Sequence, residues 1–189
     1  MKILIIGYGS IGSRYHKILK KYPFEIKVFD IQKRAKSQDE IFFKSSHAAN
    51  NWKADIIIIC NNSNQHILTL FKFYHKKIKA ILIEKPIDVS FKKIQKLNQS
   101  NLDKKKIFIF NNIFYFQPID LIKNQLKNIG KIYFANIFFG HNLLSMRKKK
   151  DKKSYFFYKK KSGGLALDCI HEILYSIYLF GNVKKISIV

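Results

Sequence analysis

The sequence predicts an α/β chain in which a parallel sheet flanked by helices is followed by an incomplete α+β portion. Three observations predict it. The apolar run Ile3–Ile6 leads straight into Gly7, Gly9 and Gly12 at G-x-G-x-x-G spacing. Short β-branched runs then alternate with stretches of helical period as far as Phe110, the pattern of consecutive βαβ units. Around Gln117 the alternation stops, and a helix, a β-rich stretch and another helix follow. The expected division is a Rossmann dinucleotide-binding domain over residues 1–117 and the start of a substrate and oligomerisation domain, incomplete, over residues 118–189.

Each element has its reason. Ile3–Ile6 is short, apolar and bounded by glycine, so it reads as a buried strand. Gly7 permits the tight turn out of that strand, Gly9 a close approach of backbone to a pyrophosphate, and Gly12 close packing of the next helix. That helix carries Ile11, Tyr15, Ile18 and Leu19 on its apolar side. Its first amides, with Ser10 and Ile11 at the start, form an anion site together with the helix dipole. Phe24–Asp30 alternates as a second strand and ends in an acid, Asp30. A carboxylate there accepts hydrogen bonds from ribose hydroxyls and repels a 2′-phosphate, favouring NAD. Lys33 and Arg34 follow closely, so NADP stays open as the cofactor.

Ile41–Phe43 reads as a short strand before a partial helix, and Asp55–Cys60 as a buried strand. The polar turn Asn61–Asn64 is expected to line the cofactor groove through Asn61 and Asn62. Helix spacing resumes at Ile67, Phe71, Tyr74 and Ile78. Lys79–Ile83 is the next strand, ending in Glu84-Lys85-Pro86. A helix with Phe91, Ile94 and Leu97 and a strand at Ile107–Phe110 complete the sheet. Beyond it come a helix at Pro118–Asn128, a β-rich stretch at Lys131–Phe139, a helix at Leu165–Phe180 and a strand starting at Lys185.

Composition narrows the classes. The chain has 189 residues, 47% hydrophobic and 15% aromatic, which excludes disorder as the default. A net charge of +24 points first to nucleic acid. Lysine, however, is spread along the whole chain with abundant Asn, Ile, Phe and Tyr, a bias of composition rather than a binding face. The dense cluster Arg147–Lys150, Lys152, Lys153 and Lys159–Lys161 reads as a solvated loop, or as one that attracts an anionic substrate. Nucleic acid is therefore not the expected partner. Cys60 and Cys169 give no disulfide framework or zinc spacing. No apolar run is long enough to span a bilayer, and the first is only a strand long. A cytoplasmic location is expected.

Glu84-Lys85-Pro86 sits at the carboxyl end of a parallel strand, where ligands bind in this architecture. Asp168 and His171 lie three apart on one helical face, introduced by Gly163-Gly164. The ordered set of glycine fingerprint, Glu-Lys-Pro and glycine-led Asp and His resembles the Gfo/Idh/MocA family of NAD(P)-dependent oxidoreductases. Gly163–Glu172, Gly130–Leu144 and Ser154-Tyr155 are similar to its branch in surface-polysaccharide gene clusters. The resemblance implies NAD(P) over the glycine loop and a sugar, sugar nucleotide or cyclic polyol beside the nicotinamide. It implies catalytic roles for Lys85 and His171, with Asp168 holding substrate or orienting the pair. It places His66, Glu84 and Lys85 at the cofactor. Asn62 stands where many members have proline, and Ile113 and Tyr115 replace the usual Asn and Arg ahead of Pro118. Most of the family's C-terminal sheet is absent, so the chain is expected to be the front portion of a longer protein or a truncated form, a non-catalytic dinucleotide-binding remnant, or a unit that a homo-oligomer or a complementing chain completes.

Overall fold

The computed structural model describes residues 1–31, 41–111, 115–140 and 164–187. Five parallel strands form the sheet: β1 (Lys2–Ile6), β2 (Glu25–Phe29), β3 (Ile56–Ile59), β4 (Ala80–Glu84) and β5 (Ile107–Phe110), in the order β2-β1-β3-β4-β5. The connections carry α1 (Ser10–Leu19), α2 (Ser46–Asn51), α3 (His66–Phe73) and α4 (Phe91–Gln99). Beyond the sheet lie α5 (Gln117–Ile129), α6 (Leu165–Asp168) and α7 (Ile170–Phe180). The short strand expected at Ile41–Phe43 survives as one parallel bridge, Val28 to Phe42, on the far side of β2. Counting that bridge, the strand order is that of a dinucleotide-binding sheet, reversing direction between β1 and β3.

The strands are apolar on both faces because both are covered. On one face Leu4, Ile6, Ile57, Ile59, Ile81 and Ile83 pack with Ile67, Leu70 and Phe73 of α3. On the other, Ile3, Ile5, Val28 and Ile58 meet Tyr15 and Leu19 of α1. Leu70 is 0% exposed.

Several expectations need correction. The helical spacing read through Ile78 ends at Phe73; Ile78 is buried but lies in the turn before β4. The helix expected over Leu165–Phe180 breaks at Cys169, whose backbone (φ −98°, ψ 39°) separates α6 from α7. Lys131–Phe139 forms no strand, and neither do residues 185–187. A strand is made by ladder hydrogen bonds to a neighbour, and β-propensity without one leaves it unformed. Among the described residues no strand ladder includes this stretch, and Tyr133, Phe134 and Phe138 are exposed. Lys33, Arg34, Ile113, the cluster Arg147–Lys161, Ser154-Tyr155 and Gly163 lie outside the described residues. No helix among the described residues is long and apolar enough to cross a membrane.

Candidate functional site

The glycine loop is built as its spacing demands. Gly7 has φ +94°, and a Cβ there would lie 2.5 Å from the Asn61 amide at the exit of β3. A Cβ on Gly12 would lie 1.9 Å from the Gly7 carbonyl oxygen. Gly7 thus brings the exits of β1 and β3 together, and Gly12 seats α1 on the loop. Gly9 is the N-cap of α1 and supplies no side-chain cap, leaving the amides from Ser10 onward to an anion. Gly9 and Ser10 stand at the helix mouth, with Ile11 on the first turn.

Two of the other predicted cofactor residues, Asp30 and Asn61, adjoin the glycine loop. Asp30 follows β2 directly, and its Oδ2 accepts the Tyr8 amide of the glycine loop at 2.5 Å. The acid is therefore fixed to the glycine loop. Asn61 donates through Nδ2 to Thr69 at 2.7 Å, while its Oδ1 is buried with no hydrogen-bond partner among the described residues. A buried orphan acceptor is costly unless a ligand supplies a donor. Asn62 has φ −64° and ψ 137°, the extended backbone a proline would fix, so asparagine preserves the turn. These features fit a bound dinucleotide: two glycines whose side chains would fill the cradle, an uncapped helix start, an acid beside it and an unsatisfied amide oxygen.

His66 is placed differently from expectation. It is 1% exposed, with Nδ1 2.8 Å from the Pro86 carbonyl and Nε2 3.0 Å from the Asn61 carbonyl. Its ring is buried between the residues that follow β3 and β4. Burial pushes the imidazole below its ordinary value, opposed by the Pro86 and Asn61 carbonyls and by Asp88.

The Glu-Lys-Pro turn opens on a cavity of about 310 Å³. Helix α1 contributes Ile11, Arg14, Tyr15 and Ile18 to its wall, and the sheet contributes Glu84, Lys85 and Phe110. His171, from α7, closes it. Lys85 and His171, 86 positions apart in sequence, thus face one space. The Tyr15 hydroxyl donates to Glu84 Oε1 at 2.6 Å. Burial raises the Glu84 carboxyl above its ordinary value, against the Tyr15 bond, and raises the Tyr15 hydroxyl as well. His171 Nδ1 donates to Oδ1 of buried Asn111 at 2.9 Å. That bond orients the ring and leaves the lone pair of the neutral imidazole on Nε2.

Asp168 ends α6, and the break at Cys169 interrupts the helical face expected to join it to His171; its side chain lies outside what is described. Sequence reasoning missed Arg14, Phe110 and Asn111, and saw Tyr15 only as a core position. The helical spacing Ile11, Arg14, Tyr15, Ile18 was available as a signal; nothing local singles out Asn111.

An uncapped helix start at the switch point of a parallel sheet, with an acid at the end of the second strand, defines a dinucleotide-binding α/β protein. The chain belongs to the Gfo/Idh/MocA oxidoreductase family: the model of its NAD-binding Rossmann fold matches residues 1–112. No curated protein matches the sequence significantly. Among solved structures, the chain is similar to the WlbA (WbpB) dehydrogenase from Thermus thermophilus in complex with NAD and α-ketoglutarate. That likeness has a TM-score of 0.71 at 18% identity and covers 98% of this chain and 64% of the other. The same dehydrogenase is known with NAD and UDP-GlcNAcA. A putative myo-inositol dehydrogenase from Sinorhizobium meliloti matches with a TM-score of 0.69, 18% identity and coverage of 97% and 56%. Biliverdin reductase from Synechocystis, solved with biliverdin and NADP+, gives 0.75, 18%, and 97% and 59%. The chain therefore spans less than two thirds of the length of these structures, and at such identities the likeness speaks to fold alone.

Proposed function

We propose that the chain is an NAD-dependent oxidoreductase, with NADP as the alternative cofactor, that exchanges a hydride with a CH–OH carbon of a sugar, sugar nucleotide or cyclic polyol. The biological setting we infer is the cytoplasmic assembly of a surface polysaccharide. The observation that carries this reading is the cavity where Lys85 and His171 meet beside Ile11 of the glycine-loop helix.

The bound dinucleotide supplies hydride acceptance or donation. The chain's own residues handle the proton. As the substrate hydroxyl becomes a carbonyl it must lose a proton, and His171 Nε2, held by the Asn111 bond, takes it. In the reverse direction the same nitrogen gives it back. Lys85 sets a positive charge beside the oxygen on which negative charge develops. Arg14 and Lys85 suit an anionic group such as the diphosphate of a sugar nucleotide, and Ile18 and Phe110 offer apolar surface to the C–H face of its sugar ring. Asp168 holds substrate or orients the pair.

Turnover of a panel of sugar nucleotides and polyols tests the assignment. Lys85→Ala and His171→Ala should each abolish turnover and leave NADH affinity within a few-fold. Unchanged turnover in either variant would sink the role assigned to that residue. A second reading, a dinucleotide-binding unit completed by another chain, is favoured by the exposed apolar stretch from Ile132 to Phe139. It predicts NADH binding without turnover until that chain is added.

A further inference from the structure

One buried titratable side chain takes no part in the chemistry just described. His66 begins α3, between the exits of β3 and β4. Its two ring nitrogens meet two main-chain carbonyls, Pro86 at 2.8 Å and Asn61 at 3.0 Å. The first belongs to the turn that carries Lys85. The second belongs to the residue pressed against Gly7 at the cofactor crevice. We infer that His66 is a positioning residue: it ties the cofactor-side exit of β3 to the Glu-Lys-Pro turn, and so sets where Lys85 stands relative to a bound dinucleotide. This role rests on the dinucleotide reading above.

The surroundings hold the ring from behind. Asp88, 2% exposed, accepts the Ser90 amide at 3.1 Å and pairs with Lys93 of α4 at 3.4 Å. Lys93 also donates to the Asn64 carbonyl. The strap that follows Pro86 is therefore pinned to the loop that precedes His66. The ring reaches from this pinned layer to both carbonyls at the crevice, each against a different nitrogen; the neutral imidazole donates to one of the two and packs against the other.

That difference makes the role separable by substitution. An asparagine amide takes the place of Nδ1 and keeps the Pro86 contact alone. A glutamine amide reaches the place of Nε2 and keeps the Asn61 contact alone. Leucine fills the volume and keeps neither. The test measures NADH affinity by fluorescence, Lys85 labelling by an amine-directed reagent with and without NADH, and melting temperature, in the full chain. His66→Leu should weaken NADH about tenfold, the loss of one buried hydrogen bond, and abolish protection of Lys85 by NADH. His66→Gln should restore the affinity but not the protection. His66→Asn should restore the protection more than the affinity. A merely structural role would lower all three melting temperatures without that split, and parallel behaviour of the Asn and Gln variants would overturn the proposal. If His66→Leu does not fold, the Asn and Gln pair still decides it. A wild-type chain that fails to bind NADH overturns the function proposed above and this role with it. Wild-type binding with no split overturns this role alone.

Discussion

Residues 1–111 and residues 115–187 differ in how they are held. Among the described residues, the first region contains every buried apolar residue of the core except Ile119, and its strands are covered on both faces. The second exposes Leu121, Ile129, Tyr133, Phe134, Phe138 and Ile186. Yet the candidate site draws on both: Lys85 stands in the turn that directly follows β4, and His171 on α7, which reaches the end of β5 through Asn111. The half of the candidate site on the sheet is thus fixed by packing, whereas the half that carries His171, to which proton transfer is assigned above as a proposal, is joined to it through the Asn111 bond. Changes in the first region should damage folding and binding together; changes in the second should separate them.

Gly12→Ala is expected to have the largest effect. Its Cβ would meet the Gly7 carbonyl oxygen at 1.9 Å, an overlap only backbone movement relieves, at a cost of about 3 kcal/mol. NADH binding should disappear, as read by fluorescence titration. Leu70→Ala removes a fully buried side chain and should cost about 2–5 kcal/mol in denaturant unfolding. Phe138→Ala, at 90% exposure, should shift stability by no more than about 0.5 kcal/mol. Equal effects from this pair would erase the contrast between the regions.

Asp30→Ala should weaken NADH about tenfold while leaving NADPH unchanged or tighter, since it removes an acceptor for the ribose hydroxyls and a repeller of the 2′-phosphate. The smallest effect lies at Glu84. Its carboxyl sits above its ordinary value of 4.5 because burial disfavours the charge, and the Tyr15 bond holds it back. The folded chain therefore binds this proton more tightly than the unfolded chain. Its contribution to stability falls as pH rises from 4.5 through the higher folded value. Tyr15→Phe removes the restraint, so the Glu84 carboxyl should titrate higher still in carboxyl-carbon resonance spectra. A lower value would contradict the assignment.

Much of this was legible in the sequence where physics is local. The glycine spacing, the acid closing β2 and the alternation of runs through Phe110 rest on steric and periodic rules that act within a few residues. What escaped depends on which distant elements the topology brings together. Tyr15 and Glu84 are 69 residues apart, and Asn111 and His171 are 60 apart. The break at Cys169 coincides with the tertiary bond of His171 and has no sequence mark such as Gly or Pro. The family resemblance put His66 at the cofactor, whereas its burial between the Asn61 and Pro86 carbonyls is a tertiary fact that no local pattern carries. Lys131–Phe139 shows the opposite failure, a strand pattern with no ladder partner among the described residues.

The most direct test of the account is a titration of the purified chain with NADH and NADPH, following cofactor fluorescence and melting temperature together. Micromolar NADH binding, weaker NADPH binding and a raised melting temperature are the predicted result. No binding of either cofactor would contradict the claim that residues 1–111 form a working dinucleotide site.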